Sequence, residues 1–330
     1  MQVSFLKVVP ALLLSASLAF PLGTQAEEES KVISIVSSAS LNGELESCGC
    51  KKKDIGGIAR KATLVDRHRE KVDGLLVLDA GNFSETKKFE SWERTKFLWK
   101  LMAESGTDCV TPGDRELIHG HAGMMQLVQC QPDIKIVSAN ITDKQGDLLW
   151  DRYTVIERGG VRVGITGVTS PTSYAFNLTR GTQEADDFDF LDPKESLAQA
   201  IADLEGQCDV VVALLHETPG DARRIVEEIP GMDVAIVGHN PGYMFSPDRI
   251  GNTLLVRGGS RGQYTSFLDL TLDSDNAIID YNGESKPLGK TIKPKPQIHD
   301  QVTEYLDAYK DRELANTRAE ALKKAGYGSD

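Results

Sequence analysis

The chain has 330 residues and a formal net charge of −12 at neutral pH. That length supports a substantial core, in one large domain or two modest ones. The acidic balance excludes nucleic acid and anionic membrane as general partners, since both repel a negative surface.

Met1–Ala26 reads as a secretory signal peptide, with Lys7 as its positive start, an apolar run from Val8 to Phe20 and a small-residue cleavage site at Thr24-Gln25-Ala26. The run is shorter than the ~20 residues a membrane helix needs. The expected product is therefore periplasmic or secreted and free of the membrane after cleavage. Residues 27–285 are expected to form one α/β domain, and 286–330 a linker and C-terminal helix.

Val32–Val36 is rich in β-branched residues and predicts the first strand. A polar loop follows, and Gly56-Gly57 punctuates the start of a helix over 58–69. Leu75–Leu78 is continuously apolar, which predicts a strand buried on both faces. A helix over 90–104, a strand over 108–111, a helix through Met125 and Leu127 and a strand over 134–138 continue the alternation. Tyr153–Glu157 and Val161–Val168 flank Arg158-Gly159-Gly160 and predict a hairpin. Further on, 196–204 and 222–228 read as helices, with strands at 210–215 and 233–237. Segments 253–257 and 265–272 read as a strand pair. Lys286–Pro296 reads as an extended linker, and Val302–Lys324 as a polar helix for a protein partner or for packing on the domain.

Two features carry chemistry. The loop Ser40–Val65 holds Cys48 and Cys50 beside Lys51, Lys52 and Lys53. In an exported protein this pair is open to three readings: a strained disulfide, reactive thiols with a lowered pKa, or metal ligands. Cys109 and Cys208 enter core strands and read as small buried hydrophobes, and Cys130 is unremarkable. The second feature is the recurrence of Asn82, Asp114, His216 and His239 at the C-terminal ends of predicted strands. In α/β sheets such ends converge, so residues remote in sequence can share a site there.

The ordered blocks IVSSASLNGELESCGC, GGIARKATLV, LLVLDAGNF, TPGDRELIHG, SANI, ALLHE and VAIVGHNPG resemble the periplasmic 5′-nucleotidase branch of the calcineurin-like metallophosphoesterases. The resemblance covers about Val32–Leu272. It implies a four-layer α/β/β/α sandwich whose strand-end loops hold two metal ions that activate water and clamp a phosphate. The departures bear on the ion count. Ser40 and Asn42 stand where the family has Asp and His, Gly81-Asn82 replaces its Gly-Asp, Gly113-Asp114-Arg115-Glu116 replaces Gly-Asn-His-Glu, and Pro241 replaces the last histidine of Gly-His-x-His. The resemblance thus implies one divalent ion, zinc, manganese or iron, or none, with Asn82, Asp114, His216 and His239 as its ligands.

The family's catalytic histidine is Arg115 here, which can hold a small phosphorylated or other oxyanionic molecule but cannot serve as a general acid. A salt bridge to Glu116 is the alternative role for it. The family's second domain, which stacks a nucleobase, has no counterpart after Leu272, and this points away from a true nucleotidase. Three functions stay open: a divergent metal-dependent hydrolase, a thiol or metal-thiolate protein using Cys48 and Cys50, and a catalytically silent binding module.

Overall fold

The computed structural model describes residues 2, 30–47, 49, 53–87, 90–179 and 187–324, and the following statements concern these. The proposed signal peptide apart from Gln2, and Cys48, Cys50, Lys51 and Lys52, lie outside the described residues.

The strands are β1 (Lys31–Ser38), β2 (Gly74–Asp79), β3 (Cys109–Val110), β4 (Lys135–Ile136), β5 (Ile141–Thr142), β6 (Tyr153–Arg158), β7 (Val161–Thr169), β8 (Asp189–Phe190), β9 (Val210–His216), β10 (Val234–Val237), β11 (Asp248–Ile250), β12 (Thr253–Arg257), β13 (Tyr264–Leu272) and β14 (Ile278–Pro287). The helices are α1 (Ile58–Arg69), α2 (Ser91–Glu104), α3 (Asp114–Leu117), α4 (Gly120–Cys130), α5 (Pro171–Thr179), α6 (Pro193–Leu204), α7 (Pro219–Glu228) and α8 (Pro296–Lys324).

Two six-stranded sheets form the body, one in the order β14-β13-β1-β2-β3-β4 and the other β11-β12-β10-β9-β7-β6. Strands β1 to β4 run parallel, as do β12, β10, β9 and β7. The fully apolar runs have the burial expected of strands covered on both faces, since every residue of β2 and β10 is buried. Ile33, Ile35, Leu76 and Leu78 of one sheet share an apolar cluster with Ile165, Val212, Leu214 and Ile236 of the other. Helices α1, α2, α4 and α8 contribute to a second cluster with Val110 and Ile136 of the first sheet, and α6 and α7 to a third with β9 and β10. The mixed α/β fold expected from the sequence is the fold observed.

Two sequence expectations are corrected. Segments 253–257 and 265–272 are not partners: β12 pairs with β10 and β11, whereas β13 pairs with β1 and β14. The short Gly-rich connection passes from one sheet to the other instead of closing a hairpin. Lys286 and Pro287 are the last residues of β14, not the start of a linker. Strand β14 escaped notice because it is an edge strand whose sequence, IIDYNGESKP, has little apolar content.

Candidate metal centre

Four chain segments from the two sheets meet at one edge. Asn82 follows β2 and Asp114 opens α3 just beyond β3, both in the first sheet, while His216 ends β9 and His239 follows β10 in the second. Asp114 Oδ1 lies 3.0 Å from His216 Nε2 and 3.2 Å from His239 Nδ1, and the two nitrogens are 3.4 Å apart. These three side chains form the one group of potential metal ligands among the described residues.

His216 Nδ1 lies 2.6 Å from Ala80 O. A carbonyl oxygen only accepts, so Nδ1 carries a proton and the neutral ring turns the lone pair of Nε2 towards Asp114. A carboxylate oxygen and ring nitrogens at these separations repel unless a positive centre lies among them, either a proton or a metal ion. Ligand atoms bound at ~2.0–2.1 Å around a tetrahedral ion stand about 3.3 Å apart. The observed edges of 3.0, 3.2 and 3.4 Å therefore suit a single ion. One carboxylate and two imidazoles are also a donor set for zinc, iron or manganese.

The electrostatics agree. Burial opposes ionisation of Asp114, but hydrogen bonds and charge from His216 and His239 hold its carboxyl well below the usual carboxylate range. Burial likewise opposes the charged form of His216, yet the hydrogen bond and charge of Asp114 lift it above the ordinary value. Without a metal ion, the proton is held jointly in this cluster.

The loops that carry the ligands close on each other without room for side chains. Gly81 has φ +87, and a Cβ there would lie 2.6 Å from Gly113 N and 2.8 Å from His216 Nδ1. A Cβ on Gly238 would meet Ala80 O at 2.0 Å. Four non-glycine residues on this edge, Ser40, Asn42, Asn82 and Asn240, adopt the left-handed conformation with φ between 47 and 60. Such backbone is costly and concentrates at functional sites.

Asn82 braces the centre. Its Nδ2 donates to Asp114 Oδ1 over 2.9 Å, and its Oδ1 accepts the Arg115 backbone N–H over 2.9 Å. Ser40 occupies the place of an expected ligand but works as a staple, its hydroxyl donating to Gly238 O at 2.8 Å and accepting from Asn240 N at 3.1 Å. It thereby brackets His239 on both sides.

Arg115 lies in the wall of a cavity of about 380 Å³ that it shares with Asn82, Thr86, Lys87, Asp114, Ser173, Phe176 and His239. Its Nη1 is 3.4 Å from Thr86 Oγ1. The oxygens of Glu116 are taken by the backbone N–H groups of Asn82, Gly113 and Ser84 at 2.8, 2.7 and 2.7 Å. Glu116 thus ties the β2 and β3 loops together. Cys109 is buried in the core, as expected, and burial pushes its thiol further from ionisation, so it stays a packing residue.

Sequence reasoning missed the bracing by Glu116, the staple by Ser40 and the cavity wall of Thr86, Lys87, Ser173 and Phe176. The position of Glu116 two residues after Asp114 was the signal available for the first. Nothing in the sequence placed α5, which carries Ser173 and Phe176, beside the centre.

No family model matches the chain. In sequence it is 25% identical over 291 residues to the snake venom 5′-nucleotidase of Gloydius brevicauda, an alignment covering 79% of this chain and 48% of that protein. In structure it is similar to the 5′-nucleotidase precursor from Thermus thermophilus, with a TM-score of 0.74 and 23% identity over 85% of this chain and 59% of that one. It is also similar to the calcineurin-like phosphoesterase YfkN from Bacillus subtilis, with a TM-score of 0.69 and 19% identity over 84% of this chain and 100% of that one. The chain spans about half the length of the curated relatives it matches. In sequence the chain is related to the 5′-nucleotidases, and its fold is that of the calcineurin-like phosphoesterases.

Proposed function

We propose that the chain is an exported, divergent metal-dependent hydrolase of the 5′-nucleotidase type, with one divalent ion at Asp114, His216 and His239. The observation that carries this reading is the triangle of ligand atoms with edges of 3.0, 3.2 and 3.4 Å, two of whose residues, Asp114 and His239, line a cavity together with Arg115. A divalent ion held there supplies Lewis-acid polarisation of a phosphoryl or similar oxygen.

The chain's own residues do the rest. Arg115 and Lys87 hold the substrate anion, and the hydroxyls of Thr86 and Ser173 orient it. A guanidinium keeps its proton, so Arg115 fixes charge and moves no proton. Asn82 serves as brace and fourth polar group beside the ion. Ser40, Asn42 and Pro241 offer no charged donor for a second ion, which supports a count of one.

Elemental analysis of the purified protein should give about one tightly bound divalent ion per chain, and two would overturn the reading. Turnover of p-nitrophenyl phosphate, bis-p-nitrophenyl phosphate or a nucleotide should require that ion and disappear in His239→Ala. No turnover of any of these with zinc, manganese or iron would favour a binding role instead. The thiol reading of Cys48 and Cys50 has no comparable support from the described residues.

A further inference from the structure

Two buried charged groups take no part in the centre itself. Lys61 in α1 is 2% exposed, and Asp79 at the end of β2 is fully buried. Lys61 Nζ donates to Ser38 Oγ over 2.6 Å, and Ser38 Oγ donates in turn to Asp79 Oδ2 over 2.6 Å. The other oxygen of Asp79 accepts the Gly81 N–H at 2.9 Å, and Ser38 O accepts the Ala80 N–H at 2.9 Å. Ala80 O is the acceptor for His216 Nδ1. An unbroken path of hydrogen bonds thus runs from a helix over the first sheet, through β1 and β2, to an imidazole of the second sheet.

Packing does not call for this arrangement. A buried ammonium and carboxylate lose hydration, and apolar residues of similar volume usually stabilise a core as well or better. What the charged pair adds is direction. The Asp79 carboxylate accepts the Gly81 N–H and is itself held by the Ser38 hydroxyl, which Lys61 holds in turn, so the Ala80–Gly81 peptide presents its carbonyl oxygen in one orientation. The Ala80 N–H is held separately by the Ser38 backbone carbonyl. If that peptide turns, Nδ1 of His216 loses its acceptor, and the ring is free to place its proton on Nε2, the nitrogen that faces Asp114 and His239.

We propose that Lys61, Ser38 and Asp79 are positioning residues that fix the Ala80–Gly81 peptide and thereby hold His216 in its Nδ1–H tautomer, with Nε2 ready for a metal ion. The ion is the one assigned under Proposed function, so the metal-affinity consequence rests on that reading. The tautomer consequence does not.

The test uses the full chain labelled with ¹⁵N-histidine, in wild type and in Ser38→Ala, Asp79→Asn, Lys61→Met and Ser38→Thr, with His216 assigned from its loss in His216→Gln. With chelator present and at a pH above the lifted value of His216, where the ring is neutral, wild type should show His216 as the Nδ1–H tautomer. Ser38→Ala and Asp79→Asn should shift it towards the Nε2–H tautomer and weaken zinc binding, read by competition with a chromophoric chelator, by about 10–100-fold. Lys61→Met should change both in the same direction, and Ser38→Thr, which keeps the hydroxyl, should restore both. If Ser38→Ala does not fold, the nearly isosteric Asp79→Asn gives the same comparison. A folded Ser38→Ala or Asp79→Asn that keeps the wild-type tautomer and zinc affinity overturns the inference. A wild type that binds no divalent ion overturns the metal reading alone, and the tautomer comparison still decides this one.

Discussion

A carboxylate and two imidazoles whose donor atoms lie within 3.4 Å of one another leave little choice of chemistry, and the choice is narrowed further by what stands behind them. His216 is turned by Ala80 O, Asp114 is braced by Asn82, and His239 is bracketed by the Ser40 staple. Such partners set the orientation and basicity of the ligands as much as the ligands themselves do. Gly81 is the position where this closeness is least forgiving. Gly81→Ala would add strain at φ +87 and push a methyl against Gly113 N and His216 Nδ1. The expected loss is about 1–3 kcal/mol of stability from the backbone strain alone, measured by urea denaturation, with weakened divalent-ion binding. A Gly81→Ala protein with wild-type stability and wild-type ion binding would show that the loop relaxes freely and that the close packing around His216 is unimportant.

Among the elements, those with strong apolar periodicity were legible from sequence and those held by neighbours were not. Helix α1 spans 58–69 as its stripe of Ile58, Ala62 and Val65 indicates, and β2 matches its apolar run closely. The strand-end residues Asn82, Asp114, His216 and His239 were legible as one constellation because polar residues there interrupt otherwise apolar segments. What was not legible depends on pairing across the fold. Strand β14 is defined by its ladder with β13, and the separation of β12 from β13 into different sheets depends on which edge each finds. The roles of Ser40 and Glu116 are hydrogen bonds to remote backbone, which no local pattern encodes. Helix α8 begins at Pro296, ahead of the Val302 start expected for a polar helix after an extended linker, and its first turns pack on the body. Ile298 and Val302 are buried and Tyr305 stacks on Phe97, with ring centroids 4.2 Å apart. Ile298→Ala should therefore cost about 2–5 kcal/mol, visible as a lower urea midpoint. Leu322→Ala, at a position 53% exposed on the same helix, should change stability little. Equal effects at the two positions would mean that α8 is held along its whole length.

Taken as a whole, the two sheets share an apolar core and are also bridged at one edge by the charged cluster of Asp114, His216 and His239, so stability should report on the protonation and metal content of that cluster. The carboxyl of Asp114 is held below its ordinary value of 3.8, so its contribution is complete above that pH and lost as pH falls through the depressed value. His216 is lifted above its ordinary value of 6.5, so its contribution is complete below that pH and lost as pH rises through the lifted value. Asp79 and Glu217, both raised to about 7 by burial, titrate in the same range and would obscure the effect in wild type alone. The informative quantity is the difference between wild type and Asp114→Asn, both with chelator present. That difference should be greatest between about pH 4 and pH 6.5 and shrink on either side. Metal needs the imidazoles deprotonated, so adding zinc or manganese should raise the melting temperature of wild type more at about pH 8 than at about pH 5.5, and leave that of Asp114→Asn nearly unchanged. Thermal unfolding followed by circular dichroism across this range gives both comparisons. A metal-induced rise of equal size in Asp114→Asn would place the ion elsewhere in the protein, and a pH-independent difference between the two proteins would mean that Asp114 and His216 do not share a proton.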